Sequence, residues 1–170
     1  FEMNKEAEVV GFDIDKTIIN SDRRFTYEEA QQIIETGEGQ FNKEVLLLNE
    51  LAKILRKNRF KKGAFNFEHN EVKFILGENA VPTGVYFKES KESNNLIEEF
   101  MLLANRKVAE YIGEMSKPFV YRIHAEPNMD KLEMFSGFIS RFGYSIDTSN
   151  NVALSKYMNE VVKEVIGKPE

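Results

Sequence analysis

The chain has 170 residues, a mass of 19.7 kDa, 42% hydrophobic residues and a formal net charge of −5. That is enough apolar material for a real core in one domain or a large piece of one, and it excludes a disordered chain. The absence of cysteine excludes disulfides, thiolate zinc sites and cysteine nucleophiles and fits a reducing, cytoplasmic setting. The acidic balance argues against a freestanding non-specific nucleic-acid binder, and no run approaches the ~20 apolar residues that span a bilayer.

The start, Phe1-Glu2-Met3-Asn4-Lys5, has no basic segment followed by an apolar one, so export is not indicated. Strand-like text so close to a leading Phe raises the expectation that the chain is a fragment. Two apolar bursts, Val9-Val10-Gly11-Phe12 and Thr17-Ile18-Ile19, read as short strands. Thr26, three residues before Glu29, forms a capping box that opens a helix to about Thr36, where Gly37 and Gly39 stop it. Tyr27 therefore falls in its first turn.

From Asn42, Val45, Leu48, Leu51, Ala52 and Leu55 recur at helical spacing, an amphipathic helix that ends before Gly63. Its end carries "RKNRFKK", with Arg56, Lys57, Arg59, Lys61 and Lys62 in seven residues. This strip either complements the helix macrodipole or faces an RNA backbone. "AFNFE", "EVKFILG" and "GVYFKES" then predict an antiparallel meander. "NNLIEEFMLLANRKVAEYIGEM" is the longest helical stretch, apolar on nearly every side of its first half and expected to be buried all round. After Pro118, "FVYRIH" reads as a strand, Pro127 starts a helix over "NMDKLEMFSGFISRFG", and a last helix follows over "NVALSKYMNEVVKEVIG". No linker divides these elements, so residues 1–170 are expected to be a single partial domain. The expected class is α+β, a mainly antiparallel sheet with packed helices and one buried central helix.

Two stretches carry chemistry. "GFDIDKT" spells Asp-x-Asp-x-Thr, the form in which a haloacid-dehalogenase-like phosphatase presents Asp13 as nucleophile and Asp15 as general acid and base. Such a site needs a late acidic pair to complete a magnesium cage. Asp22, Asp130 and Asp147 do not supply one, and the alternating βα pattern is missing, so a polar hairpin connection is preferred for Asp13 and Asp15. "LIEEFMLLAN" is the stronger anomaly. Glu98 and Glu99 interrupt an apolar helix, and adjacent residues point about 100° apart, so at most one faces the core. That one must meet a ligand, a donor or a cation such as Arg23, Arg24 or Arg122.

"LIEEFMLLANRKVAEYI" followed by "PFVYRIHAEPNMDKLEMF" closely resembles the catalytic RNB domain of the ribonuclease II and ribonuclease R exoribonucleases, nearest the ribonuclease R branch. "INSDRRFTYEEA" and "GAFNFEHNEVKFILG" resemble neighbouring segments of that domain, and the order agrees over nearly the whole chain. The resemblance implies an internal piece of an enzyme that hydrolyses single-stranded RNA processively from the 3′ end to nucleoside 5′-monophosphates with Mg²⁺. It also implies that Tyr27 and Glu98 contact the ribose and tell RNA from DNA, and that Phe67 stacks on a 3′-terminal base. Nothing here matches the family's Asp-Asp-Ala metal motif or its Thr-Ser-Pro-Ile-Arg-Arg-Tyr motif, so the segment by itself is expected to bind no metal and to be inactive. An alternative is a non-catalytic RNA-binding or interaction module that keeps the RNB core. Apolar surface left exposed by truncation predicts self-association.

Overall fold

The computed structural model describes residues 1–65, 71–148 and 150–165. In chain order its elements are β1 (Glu2–Met3), β2 (Val9–Gly11), α1 (Tyr27–Thr36), α2 (Asn42–Lys61), β3 (Glu71–Leu76), β4 (Pro82–Lys88), α3 (Glu92–Glu114), α4 (Met129–Ser140) and α5 (Asn151–Val165). Among the described residues these helices accompany two small antiparallel sheets, β1-β2 and β3-β4, so the class is α+β as expected. The chain forms two compact units, Phe1–Arg56 with Glu68–Lys107, and Lys57–Phe67 with Val108–Glu170.

In the first unit the turn between β1 and β2 is organised by Asn4, whose Oδ1 accepts the backbone N–H groups of Glu6 at 3.1 Å and Glu8 at 2.8 Å. The β3-β4 hairpin pairs Val72 with Phe87 and Phe74 with Val85. The helix α1 begins and ends where local chemistry dictates. Thr26 caps it, and Gly37 takes the left-handed conformation at φ 74° and donates its N–H to Ile33 O. Gly39, at φ 133°, has no room for a side chain, because a Cβ there would lie 2.8 Å from Ile33 Cγ1. Ile33 itself is buried.

The core of this unit is made of modest side chains: Ala7, Ile33, Val45, Ala52, Leu96 and Leu103. The helix α3 is its longest element, but the expectation that it is buried all round is corrected. Burial is confined to the stripe Ser93, Leu96, Glu99 and Leu103, spaced for one helical face, while Ile97 and Met101 are half exposed. In the second unit the Asn159 amide donates to Ala64 O at 2.9 Å, joining α5 to the stretch after α2. Ile139 is buried on α4, and Phe138 and Phe142 pack with ring centroids 5.4 Å apart.

Two strand expectations are also corrected, and a third falls largely outside the described residues. Residues 12–25 form no regular structure, and Ile18 and Ile19 are fully solvated. Residues 117–128, which include "FVYRIH", are irregular too, with Val120 and Ile123 exposed. Ala64 and Phe65 of "AFNFE" are outside any strand, and the rest of that run lies outside the described residues. Apolar text alone does not make a strand, because ladder hydrogen bonds require a partner in register. The helix after Pro127 starts two residues later than that proline predicts. Asn128 is its cap, accepting the Lys131 N–H at 3.0 Å.

Candidate nucleic-acid interface

Tyr27 is the first residue of α1, and the segment that delivers it is tied down from both sides. The Thr26 N–H donates to Glu29 Oε2 at 2.8 Å, the Glu29 N–H donates to Thr26 Oγ1 at 3.2 Å, and Arg23 Nη2 reaches Glu29 Oε1 at 2.8 Å. The Arg23 guanidinium also lies 5.2 Å from the centre of the Phe25 ring. The backbone N–H of Thr26 holds the Glu29 carboxyl below the usual carboxylate range, outweighing a smaller opposing effect of burial, with Arg23 adding to the lowering.

Tyr27 is half exposed on the wall of a cleft of about 890 Å³, shared with Phe25, Phe41, Leu48, Leu96 and Ile97. Arg23 and Arg24 also line it, as do Asp22, Glu28 and Glu44. A smaller cleft of about 340 Å³ lies on another side of Tyr27, lined by Gln31, Phe87 and Asn94. Tyr27, Glu28 and Ser93 line both. An aromatic and apolar cleft whose lining includes guanidinium groups is the kind of surface on which a base or sugar can rest while its phosphate meets a guanidinium.

Buried polar groups hold the helices around these clefts. The Ser93 N–H donates to Gln31 Oε1 at 3.0 Å, Asn49 Nδ2 donates to Glu92 Oε2 at 2.9 Å, and Lys53 Nζ lies 2.9 Å from the same carboxylate. The Asn49 amide, followed by Lys53, holds the Glu92 carboxyl below the usual range. Sequence reasoning missed Gln31 and Asn49. The signal was present for Asn49, since Val45, Asn49 and Ala52 continue one stripe at helical spacing and all three are buried.

The same stripe places Arg56, four residues beyond Ala52. Its Nη1 lies 3.7 Å from Glu99 Oε1 and 3.9 Å from Glu98 Oε2. One member of the glutamate pair does face the core, but it is Glu99, with a side chain 3% exposed, while that of Glu98 is 43% exposed. Glu98, which the resemblance assigns to the ribose, is therefore the more open of the two. Arg56 is a cation at the pair, whereas Arg23 is bound to Glu29. The basic strip is accordingly not one surface, because Arg56 turns inward and Lys57, Lys61 and Lys62 are exposed.

Phe67 lies outside the described residues. Asp13 and Asp15 are exposed, and Asp13 Oδ1 accepts the N–H of the next residue, Ile14, at 2.9 Å. The hairpin preferred for them is absent, because residues 17–19 form no strand, and no parallel strand stands beside them among the described residues. No group of three or more His, Asp or Glu side chains converges among the described residues, so those residues do not fit a Mg²⁺ cage.

Residues 1–169 match the family model described as the RNB domain. The chain belongs to the RNB domain family. This RNB chain is similar to Ribonuclease R 1 of Lactococcus lactis subsp. lactis (strain IL1403), 31% identical over an alignment of 174 positions that covers 99% of this chain and 21% of that protein. It is also similar to the Arabidopsis thaliana protein named inactive exonuclease DIS3L2, 34% identical over an alignment of 178 positions that covers 95% of this chain and 17% of the other. Among solved structures, Mycoplasma genitalium RNase R in complex with ribose methylated single-stranded RNA matches 86% of this chain and 24% of its own at a TM-score of 0.71 and 19% identity, a likeness of fold. The RNB chain spans about a fifth of the length of the curated relatives it matches. The family is one of exoribonucleases, as the resemblance implied. Among the described residues no helix is long and apolar enough to cross a membrane.

Proposed function

We propose that the chain is part of a single RNB catalytic domain in a cytoplasmic exoribonuclease that degrades single-stranded RNA from the 3′ end to nucleoside 5′-monophosphates. Within it, Tyr27 and Glu98 contact the ribose and Phe67 stacks on a terminal base. The observation that supports this reading is that Tyr27 and Glu98, each half exposed, stand on two helices, α1 and α3, linked by the Gln31 to Ser93 hydrogen bond. A phenol and a carboxylate can bond a 2′-hydroxyl, which DNA lacks. Hydrolysis in the longer protein would draw on Mg²⁺ to polarise the phosphate and activate water. The described residues here do not provide that cage, so this segment alone is expected to be inactive.

The test is binding of a labelled oligoribonucleotide against its deoxy counterpart at fixed salt. Wild type is expected to prefer RNA, Tyr27→Phe to reduce the preference roughly threefold to tenfold, and Glu98→Gln about tenfold or more. An RNA-to-DNA ratio of one in the wild type overturns the reading. A second reading, a binding module without catalysis, is favoured by the similarity to the relative named inactive exonuclease DIS3L2. It predicts the same binding pattern, with no RNA degradation by the longer protein in Mg²⁺.

A further inference from the structure

We infer that Arg56 is a positioning residue, one that sets Glu98 for the ribose by sharing its guanidinium between Glu98 and the buried Glu99. This inference rests on the proposed role of Glu98 and adds a residue to it. Asn49 and Arg56 are seven residues apart on α2, and the carboxylates they meet, Glu92 and Glu99, are seven apart on α3. Seven residues are two helical turns, about 10.5 Å, so the two helices advance together and present their polar contacts at matching heights.

Arg56 is thus held at a defined level on α3 by a helix anchored two turns earlier. Its side chain is only 22% exposed, and its Nη1 stands within 4 Å of both carboxylates, at 3.7 Å from Glu99 and 3.9 Å from Glu98. Glu99 is almost wholly out of water. A guanidinium within 4 Å of both carboxyl groups, fixed by its own burial, draws the Glu98 carboxylate to the α2 side of α3 and leaves it 43% open to a ligand. A planar guanidinium can serve two carboxylates from one fixed plane, which an ammonium cannot do as well.

The test separates orientation from folding by comparing two variants that both lack the buried charge. Glu99→Gln alone leaves Arg56 with Glu98 and is expected to keep the wild-type RNA-to-DNA binding ratio. The pair Arg56→Met with Glu99→Gln is expected to lower the ratio about tenfold, as far as Glu98→Gln does, and adding Glu98→Gln to that pair is expected to change nothing more. Arg56→Lys, which retains the charge and guards against a variant that fails to fold, is expected to fall between wild type and the pair. The inference is overturned if the Arg56→Met, Glu99→Gln protein keeps wild-type helical circular dichroism and the wild-type ratio while Glu98→Gln loses it, or if Arg56→Lys matches wild type. If Glu98→Gln itself leaves the ratio unchanged, the ribose role of Glu98 fails and the positioning role with it, a pattern distinct from the first.

Discussion

The backbone N–H of Ser93 donates to the side-chain oxygen of Gln31 across 3.0 Å of buried space. This bond joins the first turn of α3, the helix of Glu98, to the middle of α1, the helix that begins with Tyr27. The N–H groups in the first turn of a helix have no partner within it, and here one is satisfied by a residue 62 positions earlier in the chain. The relation between the two proposed ribose contacts therefore depends on a polar side chain that touches neither of them in sequence.

Replacing Gln31 with Leu leaves that N–H buried and unpaired. We expect a loss of about 1–3 kcal/mol in unfolding free energy, read from urea denaturation. The RNA-to-DNA ratio should fall as well. A Gln31→Leu protein as stable as wild type would show that the bond contributes nothing to the fold.

Thr26→Ala removes the side-chain half of the capping box. The expected cost is about 1 kcal/mol, and α1 should fray from the end that carries Tyr27. Amide hydrogen exchange in residues 27–30 is the direct measurement. Protection unchanged from wild type would mean that the Arg23 and Glu29 contact is enough to hold the turn.

Stability should also fall in acid through Glu92. Its carboxyl is held below the ordinary range by the Asn49 amide and then by Lys53, against a smaller effect of burial. The folded protein thus binds fewer protons at this site than the unfolded chain does. The contribution is fully present above the ordinary glutamate value of about 4.3 and is lost as pH falls through the lower folded value. The side chain is 43% exposed, so solvent screening keeps the effect modest. Urea midpoints taken from about pH 6 to about pH 3 should decline less steeply for Glu92→Gln than for wild type.

The β3-β4 hairpin displays Phe74 and Val85 as a cross-strand pair, 61% and 59% exposed, with Val72 and Phe87 beside them. We propose that this ribbon drives self-association of the chain, since contiguous exposed apolar surface seeks a partner. Phe74→Lys is expected to shift sedimentation toward monomer while changing stability by no more than about 0.5 kcal/mol. Equal association of both proteins would place the contact elsewhere.

Helix limits were readable in the residues because caps are local. Thr26, Glu29 and Gly37 lie within one or two turns of the groups they satisfy, and Asn128 does the same for α4. Strands were less readable. Thr17-Ile18-Ile19 and "FVYRIH" have strand composition, yet neither forms a strand, because pairing depends on segments far away in the chain.

The amino-acid order by itself determined the start and stop of α1, the presence of a long helix bearing two adjacent glutamates, and membership of the RNB family. Which glutamate is buried was decided only in three dimensions. A helix places Glu98 and Glu99 about 100° apart whatever surrounds them, and nothing in their own neighbourhood says which direction faces another helix. Arg56 of α2 settled that, at 3.7 Å from the enclosed Glu99 and 3.9 Å from the solvent-reaching Glu98.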